Sequence, residues 1–91
     1  MAIEFEIQGR VTNIPTDLTE EAFWHRVIGF IEANGWLFGG RLEKAAIAGC
    51  VFQIPPKMSQ AEFERRFHHF IAANGWTFDG SIRLLIDGVY E

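Results

Sequence analysis

Three histidines and one cysteine carry the most versatile side-chain chemistry in this 91-residue chain. His25 stands four residues after Glu21, and His68 stands four after Glu64. On a helix that spacing puts each pair on one face, where it forms an ion pair. A metal site needs three or four converging ligands with groups behind them to orient them. Neither an HxxxH nor an HxH spacing occurs, so the histidines read as solvated helix faces and no metal is expected. Cys50 is the lone cysteine, which excludes an internal disulfide framework and a zinc site built from cysteines. It has no histidine near it in sequence to activate it as a nucleophile, so it reads as a structural thiol. Carboxylates pair at Glu4/Glu6 and at Glu20/Glu21. The first pair belongs to the wet side of a strand and the second to a helix start, and neither spacing implies the apolar cleft that would raise a carboxyl pKa. Gly39-Gly40 leads into a strand rather than a helix, so it does not cradle phosphate. No catalytic residue, cofactor or metal is therefore expected, and the chain reads as a non-enzyme.

The elements that carry these residues come in two copies. Shifted by forty residues against itself, the sequence aligns without a gap, and fifteen of the 34 positions from 7 to 40 are identical. Ordinary residue usage gives about two by chance. Ile7, Gly9, Val11, Ile14 and Pro15 fall on Ile47, Gly49, Val51, Ile54 and Pro55, and Ala33-Asn34-Gly35-Trp36 falls on Ala73-Asn74-Gly75-Trp76. Two copies are too few for a solenoid. They are expected to pack on each other as one domain, 1–91, made of a first repeat over 1–43 and a second over 44–91.

Each copy reads strand, helix, strand. Ile3, Phe5 and Ile7 alternate with Glu4, Glu6 and Gln8, the pattern of a strand with one buried face. Thr19 and Ser59 are the expected helix N-caps, with Glu62 completing a capping box on Ser59. Phe23, Val27, Phe30 and Ile31, and in the second copy Phe63, Phe67, Phe70 and Ile71, stripe one face of each helix. Asn34-Gly35 and Asn74-Gly75 end the helices. The expected order is a strand over 3–12, a helix over 19–34, strands over 36–43 and 45–53, a helix over 59–74 and a strand over 76–89. With right-handed crossovers this is an α+β ferredoxin-like split βαβ fold, βαββαβ, a four-stranded antiparallel sheet with both helices on one face. The first and third strands are central. Phe5, Ile7, Val11, Phe38, Ile47, Val51, Phe78 and Ile82 face the helices, and Trp36 and Trp76 close the core.

Eight Lys and Arg against twelve Asp and Glu give a net charge of -4. That balance disfavours non-specific nucleic-acid binding. The chain opens Met1-Ala2-Ile3-Glu4 without a basic, then apolar, leader, and no apolar run nears the ~18 residues of a membrane span. A cytoplasmic protein that avoids membranes is expected. RNA-recognition domains of this topology stack bases on outward aromatics of the central strands. Here those positions are Glu4, Glu6, Gln8, Arg10, Ala46, Ala48, Cys50 and Phe52, a poor stacking platform. Acylphosphatases follow their first strand with an anion-holding loop and an arginine, whereas Asn13-Ile14-Pro15-Thr16-Asp17 has no arginine and adds a carboxylate.

What remains is surface for a macromolecular partner. Trp24 and Ile28 flank the buried stripe of the first helix, and their counterparts in the second are Glu64 and His68. The pair either widens the core or forms a dimer or partner contact. The outward sheet face mixes Leu37, Arg41, Cys50, Phe52, Arg83 and Leu85 with Glu6, Asp79 and Asp87, a composition suited to protein docking and also to plain solvation. Candidate partner-binding residues are Trp24, Ile28, Arg41, Phe52, Arg83 and Leu85. The apolar last strand, Ile82-Arg83-Leu84-Leu85-Ile86, is a candidate edge for pairing with another chain, and a homodimer is one of the expected assemblies.

The segments Val11-Thr12-Asn13-Ile14-Pro15, Thr19-Glu20-Glu21, Phe30-Ile31-Glu32 and Trp36-Leu37-Phe38-Gly39-Gly40, with Phe78-Asp79-Gly80-Ser81 in the second copy, resemble the YggL family of small bacterial proteins. The resemblance implies a non-enzymatic protein associated with the large ribosomal subunit. That family's basic N-terminal stretch has no counterpart here. The expected function is a protein-interaction module with a protein or ribonucleoprotein partner. The rival readings are a small acidic inhibitor of a nucleic-acid enzyme, of the phage anti-defence type, and a small-ligand binder with a pocket beside Trp36 or Trp76.

Overall fold

The computed structural model describes residues 3–86 and 89–90. Strand β1 (Ile3–Thr12) buries Ile3, Phe5, Ile7 and Val11 on one side, as its alternation requires. Helix α1 (Glu20–Ala33) follows, then β2 (Leu37–Glu43), β3 (Ala46–Ile54), α2 (Gln60–Ala73), β4 (Thr77–Ile86) and β5 (Val89–Tyr90). The sheet is antiparallel in the order β2-β3-β1-β4-β5, and its βαββαβ portion has the ferredoxin-like layout. The last strand is shorter than the sequence predicts. It ends at Ile86 instead of continuing to 89, and β5 returns along it.

Local chemistry starts and stops each helix as its end residues dictate. Thr19 Oγ1 accepts from the Ala22 N–H at 3.0 Å, and Ser59 Oγ accepts from the Glu62 N–H at 3.1 Å. The capping box is only half made, because the Glu62 carboxylate turns to Arg65 and Arg66. At the other end, the Trp36 N–H reaches Ile31 O and the Gly35 N–H reaches Glu32 O, a Schellman motif that α2 repeats at Trp76 and Gly75. Gly35 and Gly75 hold φ of 79° and 76°, where a side chain would be strained.

The duplication is visible as a pseudo-twofold axis. β1 pairs with β4 at Gly9↔Gly80, and β3 pairs with β2 at Gly49↔Gly40. Exchanging each residue for its counterpart forty positions away turns one ladder into the other. The β1–β3 ladder maps onto itself, with Gln8↔Ala48 on the axis. The core repeats accordingly. Phe23 packs on Trp76 and Phe63 on Trp36, both at 5.2 Å and 38°. Phe30 and Phe70 stack across the axis at 4.6 Å. Arg26 donates to Asn74 Oδ1 at 3.1 Å over the Trp76 ring, and Arg66 donates to Asn34 Oδ1 at 3.0 Å over the Trp36 ring. Each helix thus clamps the C-cap of the other.

Two glycine windows let the strands support this core. A Cβ on Gly80 would lie 2.3 Å from Gln8 O and 2.9 Å from Phe78 Cζ, so the Phe78 ring covers the bare Gly9/Gly80 pair. In the Gly40/Gly49 pair, the Phe38 ring covers Gly49, with its Cζ 2.7 Å from where a Gly49 Cβ would stand. Of the residues expected to face the helices, Phe5, Ile7, Val11, Ile47, Val51 and Ile82 are buried, and Phe38 and Phe78 are half-buried against them. Ile54 joins the core through an irregularity in β3. Phe52 and Gln53 together oppose Glu4, and Gln53 takes φ of 65°, which returns Ile54 to the helix side. Among the described residues no helix is long and apolar enough to cross a membrane.

Candidate functional site

The outer face of the sheet is a grid fixed by register. Its rows run Leu37–Phe52–Glu4–Leu85, Gly39–Cys50–Glu6–Arg83, Arg41–Ala48–Gln8–Ser81 and Glu43–Ala46–Arg10–Asp79. Cys50 lies half-buried in this grid, and burial, then the charges of Glu4 and Glu6, push its thiol above the ordinary value. That environment works against a thiolate nucleophile. Among the described residues no three His, Cys, Asp or Glu side chains gather to hold a metal ion. His25 lies 3.6 Å from Glu21, both well exposed. The expected Glu64–His68 pair is not formed. Glu64 Oε2 accepts from Gln60 Nε2 at 3.2 Å, and the His68 ring leans on Phe67 and Phe78 instead. Trp36 and Trp76 are 2% and 4% exposed, filled in by the aromatic packing.

Of the six candidate contact residues, three share one flank. Trp24 is 41% exposed and, with Glu20, Gly40, Arg41 and Glu43, lines a shallow notch of about 360 Å³ between α1 and β2. Ile28 is half-buried against the core and joins Trp24 and His25 around a second depression of about 170 Å³. Phe52 is half-buried on the outer face, opposite Leu37 and 3.3 Å from where a Gly39 Cβ would stand. Leu37, at 42%, and Trp24 are the large hydrophobic residues most open to solvent among those described. Arg83 and Leu85 belong elsewhere, on β4, three strands from β2. Leu85 is 5% exposed, although it is on the outer face. Asp87 lies outside the described residues.

Of the two outer strands of the βαββαβ sheet, β2 rather than the candidate β4 keeps the more open edge. The Val11 N–H donates to Ala45 O at 2.9 Å, so the backbone of Ala45 faces β1. Direction alternates along a strand, so Ala46, Ala48, Cys50 and Phe52 face β2. Their partners Glu43, Arg41, Gly39 and Leu37 spend their polar groups on β3. Phe38, Gly40 and Leu42 therefore point their N–H and C=O groups out of the sheet. The equivalent outward positions on β4 are Phe78, Gly80 and Ile82. There, Ile82 O accepts from Gln60 Nε2 at 3.0 Å, and β5 covers Leu85 and Ile86. Gln60 corresponds to Glu20, which has no hydrogen to donate to Leu42 O. So the strand expected to be open is partly closed, and β2 keeps its edge.

Sequence reasoning missed Glu20, Gly40 and Glu43 as members of this flank. The Glu20/Gln60 difference between the copies was the available signal, but its meaning depends on which carbonyls face outward. A third depression, of about 430 Å³, is lined by Phe30, Asn34, Glu62, Arg65, Arg66 and His69. Its two arginines already share Glu62, whose carboxyl the Arg66 hydrogen bond, and then the Arg65 charge, hold below the usual range. Compared with known protein families, characterised proteins and solved structures, the chain matches none.

Proposed function

We propose that this protein is a non-enzymatic interaction module that engages a protein or ribonucleoprotein partner through the flank formed by α1 and β2. One observation carries the reading. The two halves keep their helix clamps and, apart from Val27 against Phe67, the buried stripe of each helix under the pseudo-twofold, and they differ on this flank, where Trp24, Ile28 and Glu20 stand in place of Glu64, His68 and Gln60. An exposed tryptophan beside an open strand suits association, because it offers apolar area with a rigid geometry. The test is a photo-crosslinking amino acid placed at position 24 and, as control, at position 64. A discrete adduct in source cells from position 24 and none from 64 is expected. Equal adducts from both, or none from either, would remove the reading. The resemblance to the YggL family makes the large ribosomal subunit the first partner to try. Co-sedimentation at low salt that is lost with Trp24→Glu supports it, and absence of co-sedimentation removes the ribosome as partner.

The acidic-inhibitor reading has one supporting observation. Asp17, Glu20 and Glu21 stand close in sequence around the start of α1, and Glu43 lines the same notch as Glu20. Salt-dependent inhibition of nucleases or helicases by the purified protein would favour that reading over the module.

A further inference from the structure

We infer that the outer edge of β2, together with the Trp24 face of α1, takes an extended segment of another protein as an added strand, and that this segment has apolar residues between basic ones. The inference rests on the interaction reading above and gives it a mode and a partner chemistry.

Three observations converge. Phe38, Gly40 and Leu42 present unpaired backbone donors and acceptors, which a strand satisfies and a helix or a nucleobase does not. On β4 the matching Ile82 O is capped by Gln60 and the far end of the strand is paired with β5, so β2 is the more open of the two edges. The exposed Trp24 and Leu37 stand on the two sides of this strand, Trp24 on the helix side and Leu37 on the outer face. A strand laid along the edge would alternate its side chains between Trp24 and Leu37.

Charge then selects the partner. Glu20 and Glu43 border the notch beside Trp24, against one arginine, Arg41. The chain as a whole carries -4. Basic residues flanking an apolar centre complement that arrangement and are steered towards it. A second copy of this chain fits worse. Antiparallel self-pairing that keeps both outer faces on one side requires a twofold through a single residue of β2. Centred on Arg41, it sets arginine against arginine. Centred on Gly40, it leaves the two arginines diagonal to each other and faces Glu43 with Leu37. Centred on Gly39, it faces Arg41 with Leu37 and leaves Glu43 beyond the paired residues, and centred on Leu42 or Phe38, it overlaps only one end of the strand.

The probe is the blocked peptide Lys-Thr-Val-Thr-Val-Thr-Lys, whose lysines and valines share one face when extended. Two analogues accompany it, one with glutamates for lysines and one N-methylated on alternate amides. Amide exchange and NMR shifts of the full chain are the readouts. The lysine peptide is expected to slow exchange at Phe38, Gly40 and Leu42 by about tenfold near saturation. Both analogues are expected to bind at least about tenfold more weakly. Glu20→Gln, which gives Leu42 O the cap that Ile82 O already has, is expected to weaken binding several-fold. Trp24→Glu, the residue the second copy carries, is expected to abolish it, with circular dichroism reporting that the fold persists. Four results would overturn the inference: no saturable shift at about 1 mM peptide, shifts centred away from β2, equal binding of the N-methylated analogue, or concentration-dependent dimerisation through β2 in sedimentation equilibrium. A crosslink from position 24 with a failed peptide series leaves the module and removes strand addition. No crosslink together with a failed series removes both.

Discussion

Replacing Gly80 by alanine tests the glycine window on which the sheet depends. The new Cβ would stand 2.3 Å from Gln8 O, 2.5 Å from Gly9 Cα and 2.9 Å from Phe78 Cζ. Comfortable contact begins near about 3.5 Å, so β1 and β4 must part by about 1 Å to clear the two backbone atoms, and the Phe78 ring must also move aside. The β1–β4 ladder resists the first response. The second surrenders an edge contact with Phe67 at 5.0 Å and much of a half-buried ring, worth about 2 kcal/mol. With about 1 kcal/mol of residual strain the expected loss is about 3 kcal/mol, or roughly 12–20 °C in Tm for a domain this size. Urea denaturation followed by tryptophan fluorescence measures it. Because the ring is one of the clashing groups, Phe78→Ala and Gly80→Ala are expected to combine sub-additively, by at least about 1 kcal/mol. Gly29→Ala, on exposed α1 with no atom within 4 Å of its new methyl, is the control and is expected to stabilise by about 0.5–1 kcal/mol. A Gly80→Ala protein within about 1 kcal/mol of the parent, or strict additivity with Phe78→Ala, would refute the window.

Other outcomes follow from the same geometry. The Arg66–Asn34 and Arg26–Asn74 clamps are expected to give equal coupling in double-mutant cycles, each about 0.5–1 kcal/mol because all partners are near the surface, and unequal values would count against the pseudo-twofold. Glu62 has its carboxyl lowered by Arg66 and Arg65, so its contribution to stability is present above the ordinary carboxylate range and is lost as pH falls through the lowered folded value. An acid titration of helicity checks this, and Glu62→Gln is expected to flatten that part of the curve. Cys50 is expected to alkylate more slowly than a free thiol at pH 8, with the rate rising only at a pH above that of an ordinary thiol. Reaction at the free-thiol rate would contradict the burial and the neighbouring Glu4 and Glu6 charges.

The fold was legible because each local signal agreed with the others. Alternation in Ile3–Gln8, the caps at Thr19 and Ser59, the phenylalanine stripes and Asn-Gly followed by Trp all point to the same βαββαβ order, and the forty-residue shift says that the order occurs in two halves. The candidate site was legible only in part. Trp24 and Ile28 stand out because the second copy replaces them with Glu64 and His68. Arg41 joins them through β2 lying beside α1, which the topology supplies. Leu85 could not be placed by parity alone, since it is on the outer face and still buried. Both β2 and β4 read as edges, and the apolar side chains of β4 make it the candidate for pairing. Openness is a property of backbone direction and of what caps it, and a one-atom difference in type between Glu20 and Gln60 separates a capped Ile82 O from an uncapped Leu42 O.

A duplicated fold provides an internal control that a single copy lacks. Where both halves need the same physics, the pairs agree: Phe23–Trp76 with Phe63–Trp36, Arg26–Asn74 with Arg66–Asn34, and Phe78 over one glycine pair with Phe38 over the other. Stability alone gives no reason for the copies to differ at a surface position whose environment is equivalent. Yet one edge has a donor that caps its carbonyl, a carboxylate on the helix above it and a short extra strand, while the other has a glutamate, a tryptophan and bare backbone. The first arrangement protects an edge from unwanted pairing, and the second leaves one exposed at a cost in solubility. An edge left open beside an exposed indole, in a molecule whose twin edge is partly closed, is the arrangement that the proposed partner strand would use.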